Sequence, residues 1–413
     1  MKMATMRLLD LVLGIPICVI LTWTRRLTDC LRRTPCTQIK RIAVIKLSEQ
    51  GSTVLALQGM NRLMARFGRE NVYFVVFKQN RFILDVTEIV SPENILTLSA
   101  TGLLPFLVGT IRLILHLRRL RIDAVINLEF FVRYAAAVSY LSGALVRIGQ
   151  HSFDHRRRYC GNLFTHRVRH RPDLHTSQMF DILFDAVGAP AGDLPVAAAA
   201  RPVSDDLPRF HPLAGDLEAA KALLGLSLGC VPTAGLILMN PNSNDVLPQR
   251  QWPAENFVVL AQRLLVELPD IHIALTGTDK EQQVTEELAH RIGSGRCCSL
   301  AGLTTMRQLL TIYTLADALV TSDSGPAHFA ALTPVNIVVI FGPETPKRFC
   351  SLSRRCHTIW LAMPCSPCFS AYNNCSSSCR DNLCMTRVSV EQVFDAVRLA
   401  CAHASGPSGG ANP

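Results

Sequence analysis

Short apolar runs alternate with longer stretches of helical spacing along most of the chain. The run IAVIKL (42–47) reads as a strand, a Ser/Gly turn follows, and ALQGMNRLMARF places its apolar residues at helical intervals. NVYFVVF (71–77) and ILTL (95–98) read as further strands, then a long helical stretch ends in LHLRRLR, and DAVINLE (123–129) is apolar again. Strands that alternate with helices predict βαβ units and a parallel sheet. The stretch GAPAGDLPVAAAARPVSDDLPRFHPLAGD (188–216) is rich in Pro, Ala and Gly and reads as a linker. Beyond it the rhythm restarts: LILMNPNS, the helix AENFVVLAQRLLVEL (254–268), IHIALTGTDKE, then TTMRQLLTIYTLADALVTSDSGPAH and NIVVIFGPETPKRF. Two such halves predict an α/β protein with two Rossmann-like domains facing a cleft.

Composition adds three points. At 413 residues there is material for two cores, and 49% hydrophobic with 18% charged residues excludes global disorder. The net charge of +10 is an excess of Arg, which favours anionic partners; with no RNA-binding aromatic motif and no DNA-reading zinc finger, nucleic acid is not expected. Near the N-terminus an uncharged apolar run (11–23) precedes Arg25, Arg26, Arg32, Arg33, Lys40 and Arg41. It is shorter than the about 20 residues a spanning helix needs, and its charge follows rather than precedes it, unlike a signal peptide. The expectation is association with a membrane and its anionic lipids through residues 8–33, with Asp10 and Pro16 breaking the helix and the downstream chain cytoplasmic. A plain buried helix is the alternative. The Arg- and His-rich segment 147–171 is expected as a solvated loop, or as a surface for phosphate groups.

Three loops of the second half share the carboxyl edge of its sheet, where open α/β proteins bind ligands. The first carries Asn240, Asn242 and Arg250, the second Gly277 and Asp279, and the third Ser322, Asp323, Ser324, Gly325, Pro326 and His328. A Gly-Pro helix start with free N–H groups suits a diphosphate, although Ser322, Asp323 and Ser324 are equally good caps. Asp279 is placed to accept a ribose hydroxyl, and Arg250 and Lys347 to neutralise leaving-group charge.

Together these stretches resemble glycosyltransferase family 9, the lipopolysaccharide heptosyltransferases. SDSGPAHFAA and VVIFGPETPKRF resemble that family's Asp-Ser-Gly-Pro-x-His loop and Phe-Gly-Pro-Thr strand end. RQWPAENF resembles its Lys-x-Trp-Pro helix start, IAVIKLSEQGS its first strand and Ser-x-x-Gly-Asp loop, and CSPCFSAYNNC its Cys-x-Pro-Cys tail. The resemblance implies a GT-B architecture and an inverting, metal-independent transfer. The sugar would pass from a nucleotide donor, ADP-heptose or similar, to a lipid-linked or lipopolysaccharide-type glycan at the cytoplasmic face of a bacterial inner membrane. No cofactor is implied beyond that donor. The donor diphosphate would lie near Asp323, Ser324, Gly325 and His328, with ribose or adenine near Asp279.

Three departures stand out. Ser52 occupies the position of the family's proposed base, so Glu49 is the substitute; Arg250 replaces the Lys; Asp279 replaces a Glu. The implied organisation is a membrane segment and basic linker (1–38), an acceptor domain (39–205), a donor domain (206–397) with a Cys-rich segment (365–384), and a flexible tail (398–413). Cys365, Cys368, Cys375 and Cys384 could form a structural thiolate cluster, although reduced thiols fit the irregular spacing as well. Two other readings compete: a GT-B epimerase, which the apolar N-terminus disfavours, and a catalytically altered scaffold for glycan assembly, suggested by Ser52.

Overall fold

The computed structural model describes residues 3–31, 38–152, 159–194, 201–242, 248–369 and 377–404. Two N-terminal helices, α1 (Met3–Val12) and α2 (Gly14–Leu31), precede a first α/β layer. Its strands are β1 (Ile42–Ile45), β2 (Val72–Phe77), β3 (Ile95–Leu98), β4 (Ala124–Asn127), β5 (Val146–His151), β6 (His166–Arg169) and β7 (Gly192–Leu194). The helices between them are α3 (Gln50–Phe67), α4 (Phe82–Thr87), α5 (Leu103–Arg119), α6 (Arg133–Leu141) and α7 (Thr176–Asp185). The second layer holds β8 (Leu236–Asn240), β9 (His272–Leu275), β10 (Cys297–Ser299), β11 (Ala318–Ser322), β12 (Asn336–Phe341) and β13 (Cys356–Trp360). Its helices are α8 (Ala214–Leu228), α9 (Ala254–Glu267), α10 (Gln282–Ile292), α11 (Met306–Leu315), α12 (Gly325–Ala330), α13 (Pro346–Phe349), α14 (Leu383–Thr386) and α15 (Val390–Ala404). Contacts divide the chain into two units, Met1–Val203 and Ser204–Pro413.

Each unit has one fully parallel sheet. The second runs β10-β9-β8-β11-β12-β13, the Rossmann order, and the first runs β3-β2-β1-β4-β5-β6-β7, the same order with one more strand. The central strands are apolar on both faces because helices cover both sides: β1, β2, β4, β8, β11 and β12 are buried throughout. In such a sheet the strand order reverses between the first and fourth strands, and the loops leaving those two strands splay apart to make a crevice. The crevices lie after β1 and β4 in the first unit, and after β8 and β11 in the second. Ile42 pairs with both Val72 and Ala124, and Thr321 with both Asn240 and Val339.

Three expectations are corrected. The basic segment 147–171 is not a solvated loop, since it contains β5 and β6. Two of its polar side chains are satisfied inside: Arg147 is buried and donates to the carbonyls of Leu163 and Ala144, and His166 lies between Thr165 and Ala189. Arg156, Arg157 and Arg158 fall outside the described residues. The expected tail begins too early, because α15 continues through Ala404 and buries Ala400. Asp10 does not break a helix: the break comes at Leu13, and Asp10 accepts hydrogen bonds from the backbone N–H groups of Arg133 and Tyr134 at the start of α6. Among the described residues, no single helix is long and apolar enough to cross a membrane. Thr5–Val12 and Gly14–Thr28 meet such a test only as a pair bent by 41°.

Candidate functional site

The second unit's crevice is built around Trp252. Its ring is fully buried edge-on to Phe257, Nε1 donates to the carbonyl of Val388 at 2.9 Å, and its backbone N–H donates to Ser322 Oγ at 3.4 Å. Those bonds fasten the loop before α9 to the end of β11, and so fix Arg250 two residues upstream. Arg250 Nη1 donates to the carbonyl of Asp323 at 3.3 Å, and its Nε lies 3.5 Å from the Asp323 carboxylate. The guanidinium also covers the ring of Phe369. Asn240 and Asn242 are buried nearby and donate to Thr276 Oγ1 and to the Thr276 carbonyl. Gly277 is required there, since a Cβ would stand 2.7 Å from Asn242 Nδ2.

Two residues that sequence reasoning passed over complete the cluster. Glu344, after β12, is 1% exposed, with Oε1 accepting from Arg348 Nη2 at 2.5 Å. Its Oε2 has no hydrogen-bond partner among the described residues. Burial pushes the Glu344 carboxyl up to about 7, and Asp323 pushes the same way against Arg348 and Arg250. Arg348 is itself buried and also donates to the Phe369 carbonyl at 2.9 Å. With Glu344 protonated, two guanidinium groups face a single carboxylate, which leaves one positive charge in a largely dehydrated setting. An anion is the natural complement of such a charge.

The other expected donor residues fall unevenly. Helix α12 has only six residues, so its dipole is small. Ser324 is its N-cap but makes no capping bond; its hydroxyl turns back to the Ser322 carbonyl. Pro326 occupies the first turn, and Gly325 makes room for the Phe329 ring, 3.2 Å from where a Cβ would sit. His328 is buried on the same helix. Asp279 is exposed and opens a single 3-10 turn, Asp279–Glu281, capped by Thr278. Lys347 is exposed on α13, and the cation turned toward Glu344 is its neighbour Arg348.

The first unit's crevice holds a second charged group. Lys46, just past β1, is fully buried. Its Nζ donates to the Ser48 carbonyl at 2.6 Å and to Glu129 Oε1 at 3.4 Å. Glu129 follows β4 and accepts the backbone N–H groups of Leu47 and Ser48 as well. Glu49 then turns left-handed, at φ 60°, a costly conformation for a residue with a Cβ. Its carboxylate stays largely exposed, 3.8 Å from Lys46 Nζ. Ser52 is no loop residue: it lies in the first turn of α3, and its hydroxyl bonds the Glu49 carbonyl at 2.8 Å. It braces the turn that presents Glu49. Among the described residues no three His, Cys, Asp or Glu side chains gather to hold a metal ion; Cys384 is buried against Gly342, and Cys375 lies outside those residues.

The fold and these crevices define a protein with two Rossmann-like units, each with buried charge at its sheet's switch point. Residues 110–377 match the model of glycosyltransferase family 9 (heptosyltransferase), well over half of the chain, and the protein belongs to that family. It is 29% identical over 171 residues to the lipooligosaccharide heptosyltransferase 2 of Haemophilus ducreyi, across 39% of this chain and 48% of that protein. It is 30% identical over 117 residues to the lipopolysaccharide heptosyltransferase 2 of Salmonella typhimurium, across 28% and 33%. The aligned part therefore spans less than half the length of these relatives. Among solved structures, the ADP-heptose lps heptosyltransferase II of E. coli superposes with a TM-score of 0.65 at 19% identity, across 89% of this chain and all of that one. A family 9 glycosyl transferase from Veillonella parvula gives 0.66 at 17%, across 88% and 97%. At these identities the likeness is one of fold.

Proposed function

We propose that the protein is an inverting glycosyltransferase that moves a heptose or related sugar from a nucleotide-sugar donor to a lipopolysaccharide-type or other lipid-linked glycan. The observation that carries this reading is the cluster of half-buried Arg250 with buried Asp323, Glu344 and Arg348 at the second switch point of a family 9 chain. The donor diphosphate is assigned to that cluster and to Ser324, with Asp279 taking the ribose hydroxyls.

The reaction is one in-line displacement. The acceptor hydroxyl oxygen attacks the anomeric carbon, its proton passes to Glu49, the bond from that carbon to the diphosphate breaks, and the electron pair leaves with the diphosphate. Glu49 suits the base because its carboxylate is exposed on a braced turn beside the fixed charge of Lys46. Ser52 supports that turn and takes no proton. Arg250 and Arg348 supply leaving-group stabilisation, so the reading calls for no metal and no cofactor. We also place residues 8–33 on the cytoplasmic face of a bacterial inner membrane, a reading supported by their exposed apolar side chains and the arginines that follow.

The first test is calorimetric titration of the detergent-solubilised protein with ADP-heptose. Binding that Arg250→Ala abolishes supports the donor assignment; equal binding by wild type and variant sinks it, and absence of any nucleotide-sugar binding favours the scaffold alternative.

A further inference from the structure

Helix α5 carries an apolar face that stands exposed among the described residues. Leu104, Leu107, Val108, Ile111 and Leu115 lie at i, i+3, i+4, i+7 and i+11 and so form one stripe, and all are exposed, Leu104 at 71% and Ile111 at 59%. The opposite side of the helix is ordinary core, with Leu113 and Leu117 buried against the sheet. A monomeric soluble domain rarely leaves such a stripe in water.

The stripe is tied to the N-terminal helices through the start of α6. Tyr134 shares a hydrogen bond with Thr110 of α5 at 2.8 Å and packs its ring on Phe106, also of α5. The backbone N–H of the same residue donates to Asp10 of α1 at 2.8 Å. Thus α5 and the α1–α2 pair flank one helix start, and α1–α2 expose Leu8, Ile17, Ile20, Trp23 and Leu27 in turn. Charge points to what covers them. From 94 to 122 the chain has no Asp or Glu, while Arg112, His116, Arg118, Arg119 and Arg121 stand exposed along the second half of α5 and just beyond it. Arg26 on α2 lies over the Trp23 ring, an amphipathic pair suited to a headgroup layer.

We propose that α5 and the α1–α2 pair form one docking face for an anionic phospholipid leaflet. The leucine stripe enters the acyl boundary, and the arginine end of α5 rests on headgroup phosphates. This rests on the membrane reading of residues 8–33 for the place of α1–α2, and adds to it a second limb within the first α/β layer.

The test is flotation of the full-length protein with phosphatidylcholine vesicles, with and without phosphatidylglycerol. The double variant Leu104→Glu/Ile111→Glu changes only exposed positions, and its fold is checked by circular dichroism and by an unchanged melting curve. We expect its partitioning to fall roughly tenfold or more, and Arg112→Gln/Arg119→Gln to lower binding to the phosphatidylglycerol vesicles alone. If Ile20→Glu releases the protein while Leu104→Glu/Ile111→Glu floats as wild type does, α5 has no part in docking and only the N-terminal reading survives. If neither variant changes flotation, both readings fall. A switch from dimer to monomer in Leu104→Glu/Ile111→Glu, with flotation unchanged, would show that a second copy covers the stripe and overturn the proposal.

Discussion

At the scale of single residues, the chemistry turns on three carboxyl groups with different surroundings. Glu49 is exposed and strained into place, Glu129 is buried with Oε1 accepting two backbone N–H groups, and Glu344 is buried with one oxygen unpartnered among the described residues. The proposed mechanism assigns proton transfer to the first, whose carboxylate is the exposed one. Glu49→Gln should lower kcat by about 10²–10⁴ while donor affinity stays near wild type, as measured by initial rates and by titration; a near-normal kcat would remove Glu49 from the mechanism. Glu344 makes a different prediction. Its protonated form leaves the Arg250–Asp323–Arg348 group positive, and its ionised form cancels that charge. Donor affinity should therefore be highest below about 7 and fall as pH rises through that value, and Glu344→Gln should flatten the dependence. A wild-type affinity that rises with pH across this range contradicts the assignment. Neither Lys46 nor Glu129 was singled out from the sequence: Lys46 sits inside an apolar run, and Glu129 lies 82 residues from Leu47, brought to it only by the β1–β4 pairing. Glu344 stood in plain view in FGPETP, yet what matters about it is burial, which a single sequence does not display. Lys347 was named and Arg348 passed over; a four-residue helix has no periodicity from which to read which side chain turns inward.

At the scale of elements, the apolar runs announced the central strands well. The outer strands β5 and β6 were missed because their sequences, VRIGQH and HRVR, look like a basic loop; internal partners for Arg147 and His166 make strands of them. The short α12 was expected to act through its dipole, but six residues limit that, and the proposed donor seat draws its charge from the guanidinium groups instead. The loop holding Arg250 depends on Trp252. Removing that ring leaves a large void and an unpaired Val388 carbonyl, so Trp252→Ala should cost about 3–5 kcal/mol in urea unfolding and weaken donor binding in step. Unchanged donor affinity in a destabilised Trp252→Ala would show that Arg250 is held by other means. The N-terminal pair is anchored similarly: Asp10 serves as an acceptor for the first turn of α6, so Asp10→Ala should expose the break at Leu13 to limited proteolysis while the rest of the chain resists as before.

At the scale of the molecule, the chain repeats one device. Each parallel sheet puts a cation and a buried acid at the point where its strand order reverses, Lys46 with Glu129 in the first unit and Arg250 with Asp323 in the second. The rhythm of strands and helices made both units legible, and the order of four motifs made the family legible. Family membership explains the second group readily, while the first departs from the family pattern at Ser52, where the sequence alone left the base unassigned. The proposed reading places the base three residues upstream, at Glu49, whose backbone carbonyl accepts the Ser52 hydroxyl in the left-handed turn before α3. The most direct measurement is acceptor-dependent release of ADP from ADP-heptose by the detergent-solubilised protein, with a lipopolysaccharide core acceptor present or withheld. The account predicts release only with acceptor, lowered by about 10²–10³ in Arg250→Ala. Release at the same rate in wild type and Arg250→Ala, or none from any nucleotide sugar supplied, would contradict it.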